Sequence, residues 1–385
     1  MNSALKNHAT YINNKVYTNE ISLSQYISTD NILQNKQGIE CATSLPIQGG
    51  KVTAFKKGDI LLANIRPYLK KIWYAQFDGG CSADVLAIRA NAETDSHFLF
   101  YALFRDDFFI HAMKGAKGTK MPRGDKAQIM EFKIPVFDLK TQQSIAAVLS
   151  ALDKKIALNK QINTRLEEMA KTLYDYWFVQ FDFPDANGKP YKSSGGEMVF
   201  DETLKREIPK GWEVKSLGEI ADLYQPATLS EKELNKNGQF LVYGANGIIG
   251  KYNKFNHENP VVAVACRGNS CGAINITQPK SWITGNAMVV NPKNKNMCID
   301  FIKNTLLVNN LDKVVSGSAQ PQITRTNFAP LKVITPNESL LKLYSDIINP
   351  MFNKRINRIQ QNTKLTQLRD FLLPMLMNGQ VSVEE

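Results

Sequence analysis

The sequence predicts an α+β protein made of two β-rich globular units, each followed by one long helix, in tandem repeat. Three observations carry this prediction. Slid against itself by 199 residues, the chain places "QINTRL" (161–166) on "QQNTKL" (360–365), and pairs Gly118 with Gly317, Pro122 with Pro321, Lys133 with Lys332, Lys155 with Lys354 and Leu173 with Leu372. Each copy also has the same order of element types: Gly-punctuated, strand-rich sequence, a short strand ("EFKIPVF", 131–137; "PLKVITP", 330–336), then a long apolar periodicity. Finally, both periodic stretches are single helices of matching length, which most simply bury their apolar seams by pairing with each other.

Taken in order, the first globular unit covers 1–141. The first long helix covers 142–180. Its seam steps by alternating four and three through Ile145, Leu149, Leu152, Ile156, Asn159, Asn163, Leu166, Ala170, Leu173 and Trp177, a heptad repeat with two polar members. Buried asparagine in such a seam fixes register and partner. Residues 181–211 are rich in Gly, Pro, Ser and charge and read as a linker. "GWEVKSLGEIADLY" then opens the second unit, 212–338. The second long helix, 339–385 with its tail, carries Leu341, Tyr344, Ile348, Met351, Ile356, Ile359, Leu365, Leu368 and Leu372. Pro350 is expected to start or kink it, and Arg355 and Arg358 to interrupt its seam. At about 1.5 Å per residue each helix is a rod of roughly 50 Å.

Bulk properties narrow the function. Hydrophobic residues at 43% and charged residues at 22% describe a folded chain of two to three domains in 385 residues. A net charge of +11 favours a polyanionic partner, of which nucleic acid is the commonest. The opening "MNSALKNHATYINNK" has no apolar core of the secretory kind, and no 18 apolar residues run together, so a cytoplasmic chain without a membrane span is expected. Five sparse cysteines (Cys41, Cys81, Cys266, Cys271, Cys298) and four isolated histidines give no metal-ligand spacing.

The stretch "FLVYGANGIIG" (240–250) resembles the phosphate loop of a nucleotide-sugar epimerase, with Gly244, Gly247 and Gly250 after a strand. A dinucleotide loop needs a helix directly after its glycines and an acidic residue about 20 positions on. Here "KYNKFNHENP" follows, polar and closed by Pro260, so a β-turn in a β-containing unit is the reading that fits. "EFK" at 131–133 imitates part of a nuclease motif, but its counterpart "PLK" at 330–332 keeps the lysine and loses the acid. "NPMF" at 349–352 lacks the second proline of an amino-methyltransferase loop, and there is no P-loop. No catalytic or metal-binding set emerges. Strings suited to DNA do: "KGAKGTKMPRGDK" (114–126) with Lys117, Lys120 and Arg123, and its counterpart "SGSAQPQITRTN" (316–327) with Gln320, Gln322 and Arg325. Arg66 in "NIRPYLKK" and Arg267 in "ACRGNSCG" fall at similar places in the two halves. Tyr243, Asn246 and Tyr252 are polar enough to face DNA as well.

At this point a family resemblance becomes visible. "IPKGWEVKSLGEIADL", "YGANGIIGKY", "WITGNAMVV", "GSAQPQIT" and "LTQLRDFLLPMLMNGQVSV", with "ISLSQYISTDNIL", "GDILLANIRPYLKK" and "IPVFDLKTQQSIAAVLSALDKKIALNKQI" in the first half, resemble the specificity (S) subunit of type I restriction–modification enzymes over nearly the whole chain. The resemblance implies two target-recognition domains in pseudo-two-fold arrangement, each binding one half of a split DNA sequence. It implies that the long helices pair as an antiparallel coiled coil that sets the unspecific spacer. It also implies docking of two methyltransferase (M) subunits and, through them, of restriction–translocase (R) subunits. S-adenosylmethionine, ATP and magnesium then belong to those partners and the S chain holds no cofactor. The Pro-x-x-Trp leader at Pro209 and Trp212 has no counterpart before the first unit, where the chain is expected to be trimmed or to differ. Two expectations from other classes compete with this one: an NAD enzyme of the nucleotide-sugar epimerase type, and a coiled-coil scaffold without any DNA role.

Overall fold

A computed structural model describes residues 2–46, 49–317 and 320–383. The chain forms two compact units, and neither coincides with one half of the repeat. Unit 1 comprises 1–158 and 361–385, and unit 2 comprises 159–360.

Each unit is built on a four-stranded antiparallel sheet with the same strand order. In unit 1 the order is Ala9–Tyr11, Val85–Ala90, Ile60–Ala63, Ile72–Tyr74; in unit 2 it is Ala221–Tyr224, Ala287–Pro292, Val262–Ala265, Ile274–Ile276. The central strands "ILLA" and "VAVA" are buried at every position because both sheet faces are covered. Alternate residues serve two cores, as the period of two requires. Ile60, Leu62, Leu86 and Ile88 face helices that carry Phe98, Phe104 and Phe108, whereas Leu61, Ala63, Val85 and Ala87 face a second sheet. Unit 2 repeats the division, with Val262, Val264, Met288 and Val290 on the helical side and Ala263, Ala287 and Val289 on the other.

The second sheets differ between the units. In unit 1 the strands run Lys15–Tyr17, Lys51–Phe55, Gly79–Cys81, Tyr26–Ile27, the last pair parallel. In unit 2 a hairpin, Gly247–Tyr252 against Phe240–Gly244, is joined by a parallel contact to Trp282–Ile283.

The long helices are Leu139–Tyr174, closed by a π turn over Asp175–Val179, and Glu338–Met377. They start alike: the Asp138 carboxylate accepts from the Thr141 N–H at 2.8 Å, and the Asn337 side chain, 199 residues on, accepts from the Leu340 N–H at 2.9 Å. Within unit 1 the central helix pairs antiparallel with the last helix, Asn362 donating to the Ile156 carbonyl at 3.1 Å and Arg369 to Asp153 at 2.8 Å. Within unit 2 Asn163 donates to the Arg355 carbonyl at 3.2 Å and Tyr344 to that of Ala170 at 3.3 Å. The two asparagine bonds are one bond repeated at the 199-residue offset, donor and acceptor alike. All predicted seam residues of the central helix, from Leu149, Leu152 and Ile156 through Leu166 to Leu173, are buried or half-buried, as are Ile348, Ile359, Leu365 and Leu372.

Three expectations change. Arg355 does not interrupt the seam but fills it, and Leu368 is exposed because Arg369 takes the seam position beside it. Long arginine stems pack as apolar groups while the head finds a carboxylate. The helix starts well before Pro350 and runs through it; Pro350 lies on the exposed side, where its missing N–H is least costly. Residues 181–211 are not a bare linker. Phe181, Phe183 and Ile208 are buried in the unit 2 core, Phe183 stacks on Trp212 at 5.0 Å, and Met198–Asp201 pairs with Arg206–Pro209. The polar average of that stretch concealed a few aromatic anchors.

Candidate nucleic-acid interface

The basic strings of the first unit are laced together by backbone bonds. Lys117 and Arg123 form a closed pair, N–H to carbonyl in both directions at 3.0 and 2.9 Å, with Gly118 at φ +97 turning the chain between them. The loop after Ile60–Ala63 lies against this hairpin: the Arg66 N–H donates to the Pro122 carbonyl at 2.7 Å, and the Gly124 N–H to that of Asn64 at 3.0 Å. A third loop joins through the Lys36 N–H to the Lys70 carbonyl at 2.9 Å. Arg66, Lys117, Lys120 and Arg123 all emerge exposed from this one cluster. Arg123 pairs with Asp84 at 2.7 Å, which orients its guanidinium without removing it from solvent. Directly behind, Asp125 caps the helix Lys126–Met130; the Gln128 N–H above all, with that of Ala127, holds its carboxyl below the usual carboxylate range.

Unit 2 repeats the clamp. Ser316 pairs with Gln322, Gly317 turns at φ +82, the Gly268 N–H donates to the Pro321 carbonyl at 3.1 Å, and the Ile323 N–H donates to that of Cys266 at 3.0 Å. Arg267, Gln320 and Gln322 are exposed around it, and Arg325 is exposed at the start of the short helix Arg325–Phe328. Residues 318 and 319 of "GSAQPQIT" lie outside the described residues.

The repeat makes the equivalences explicit. Lys117 corresponds to Ser316 and Arg123 to Gln322, both at the 199-residue offset. The other loop is shifted by three more residues, so the partner of Arg66 is Gly268 and not Arg267, whose own counterpart is Ile65. Arg66 is thus one register off from the sequence expectation. It also holds φ +52 where unit 2 uses a glycine at φ +78. A left-handed non-glycine residue costs roughly 1–2 kcal/mol, a cost that the glycine of unit 2 avoids at the equivalent position.

Tyr243 and Asn246, both expected to face DNA, differ in exposure. Tyr243 does not face outward: it is 5% exposed, its hydroxyl accepts the Gln278 N–H at 3.1 Å, and burial pushes its phenol up from the ordinary value. All of Val242, Tyr243 and Gly244 are enclosed because the strand lies between the hairpin partner and Trp282–Ile283. Tyr243→Phe is therefore expected to leave DNA selection unchanged and to lower stability by about 1–3 kcal/mol through the orphaned Gln278 N–H, a shift that thermal melting reads. Asn246, by contrast, is exposed at the hairpin turn. Sequence reading passed over Tyr68, half-exposed in the turn Pro67–Leu69 between Arg66 and Lys70. An aromatic ring among cations is a recurring nucleic-acid feature, and "RPYLKK" carried that signal.

The cofactor reading of "FLVYGANGIIG" fails on geometry. The stretch is a β-hairpin with a two-residue turn, so no helix N-terminus follows its glycines. Among the described residues no three His, Cys, Asp or Glu side chains gather to hold a metal, and no helix is long and apolar enough to cross a membrane.

A family profile described as "Type I restriction modification DNA specificity domain" matches residues 3–168 and again 209–367. The MjaIX type I restriction enzyme specificity subunit of Methanocaldococcus jannaschii is 28% identical over 312 residues, covering 75% of this chain and 70% of that one. The HindI specificity subunit of Haemophilus influenzae is 24% identical over 442 residues, covering 92% and 94%. A crystal structure of the type-I restriction-modification S subunit from M. genitalium shares the fold, with a TM-score of 0.58 at 17% identity over 98% and 96% of the two chains.

Proposed function

The chain belongs to the type I restriction–modification DNA specificity family, that of non-catalytic specificity subunits, and on that premise we propose that it binds a two-part, asymmetric duplex DNA target, one half per unit. The observation that supports this reading best is the duplicated loop clamp with unlike side chains. Arg66, Lys117, Lys120 and Arg123 in unit 1 are donors suited to phosphates and to guanine edges, whereas Gln320, Gln322, Arg267 and Arg325 in unit 2 mix amides with cations. One backbone frame with different side chains suits two different half-sites rather than a palindrome. Two M subunits, and R subunits through them, are the protein partners of this reading; S-adenosylmethionine, ATP and magnesium reside on those chains.

The test is to map methylated or selected sites for the complex of the full chain with its M subunits, with alanine at one clamp residue at a time. A residue that reads a base should cost about 1–3 kcal/mol and relax one position of one half-site. A phosphate contact should weaken all sequences alike and reduce the salt slope by about one. Clamp variants with unaltered affinity and motif, or DNA modification that persists without this chain, would leave only a scaffold.

A further inference from the structure

The clamp is common to both units, yet an asymmetric target needs readers that differ. The largest architectural difference lies in the second sheets. Beside Gly79–Cys81 unit 1 has the two-residue strand Tyr26–Ile27, whereas unit 2 has the hairpin Phe240–Tyr252 beside Trp282–Ile283. The inner strand of this hairpin is held in a core through Val242 and Tyr243. Its outer strand is not: Ile248 is 53% and Ile249 47% exposed, next to exposed Asn246 at the turn.

The register explains how two successive isoleucines stay outside. Tyr243 faces Ile248 and Val242 faces Gly250, so Ile249 is the extra residue of a β-bulge. Such bulges re-aim side chains that would otherwise alternate. Gly244 makes room for it, since a Cβ there would lie 2.8 Å from Cγ2 of Ile249. Exposed isoleucines on an edge strand invite aggregation, so their retention points to a partner. The cations at the end of the outer strand and just after it, half-buried Lys251 and exposed Lys254, with Tyr252 half-buried against Trp282 and Asn253 exposed, suit a partner of negative charge.

We propose that the turn and outer strand of this hairpin face the major groove and read an A·T-containing step, Asn246 through its amide and Ile248 and Ile249 through thymine methyl groups. The proposal rests on the DNA-recognition reading above. Dimensions choose the groove: a sheet edge with its side chains is about 10 Å thick, which fits a major groove of about 12 Å and not a minor groove of about 6 Å. Chemistry chooses the bases. An asparagine amide matches N6 and N7 of adenine, and apolar side chains match the 5-methyl of thymine, which cytosine lacks.

The experiment selects bound duplexes from a pool randomised over both half-sites, using the full chain with its M subunits, for wild type, Asn246→Ala and the double variant Ile248→Ala/Ile249→Ala. All three residues are exposed, and thermal melting verifies that each variant folds. The proposal expects A·T preference at one or two adjacent positions of one half-site to fall about five- to 150-fold in each variant, with the other half-site unchanged. A motif identical to wild type in both variants overturns it. Loss of M-subunit association with an unchanged motif also overturns it and makes the apolar pair a protein contact. A wild-type chain that selects no two-part motif defeats the DNA-recognition reading itself, an outcome distinct from either of these.

Discussion

Arg355→Ala is expected to destabilise unit 2 by about 3–5 kcal/mol, the cost of leaving a buried carboxylate without its partner. The Asp300 side chain is 3% exposed and lies 3.0 Å from the guanidinium of Arg355, itself 12% exposed. Glu167 and Lys303 complete the group. Burial already pushes the Asp300 carboxyl above its usual value of 3.8, and Arg355 is the main group pulling it back. Without Arg355 that rise grows. An acid whose folded pKa exceeds its unfolded pKa loses stability as pH climbs through the interval above about 3.8, because the unfolded chain ionises first. The deficit of the variant should therefore be largest at neutral pH and shrink on acidification. Thermal midpoints for a unit of this size should fall by roughly 6–20 °C. The double variant Arg355→Met/Asp300→Leu should recover most of the loss, since a buried ion pair replaced by apolar side chains of similar volume is often neutral. A double variant as unstable as the single one would show the pair to be a net source of stability. The expected recovery instead makes it a pin that seats the last helix against the short helix Ile299–Val308, which carries Asp300.

That pin also shows where sequence reading stops. The 4–3 step of leucines and isoleucines was legible because apolar side chains have one use in a solvated helix. Arg355 and Arg369 were not, because a charged residue in a seam looks like an interruption until its carboxylate partner, far away in sequence, is placed. The hairpin of each clamp was legible through Gly118 and Gly317, Pro122 and Pro321, since a backbone that must turn at positive φ and present a carbonyl tolerates few residues. The opposing loop was misaligned because three extra residues separate the halves there, and a gapless slide cannot absorb them; Arg66 therefore matched Arg267 when its counterpart is Gly268. Tyr243 looked available because its string is polar and Gly-rich, yet the sheet encloses that strand on both sides. Burial set by tertiary neighbours leaves no local trace.

Removing seven residues from each long helix at matched positions, 156–162 and 356–362, is expected to shorten the unspecific spacer of the DNA target by about three base pairs. Seven residues at about 1.5 Å amount to roughly 10 Å, and duplex DNA rises about 3.4 Å per base pair. The deletion is chosen from the pairing itself. It takes out the bond from Asn362 to Ile156, and keeps both the bond from Asn163 to Arg355 and the ion pair of Asp153 with Arg369. One polar register bond and whole heptads remain, so the seam can close again in the same phase. Three base pairs also turn one half-site by about 100° around the duplex axis, so affinity for the best target should fall even though both half-site sequences are preserved. The measurement is the motif recovered by methylation mapping or duplex selection. Identical half-sites at a shorter separation support helices that act as a ruler. An unchanged separation places the control of spacing elsewhere, and would leave the paired asparagines only the task of joining the helices in register.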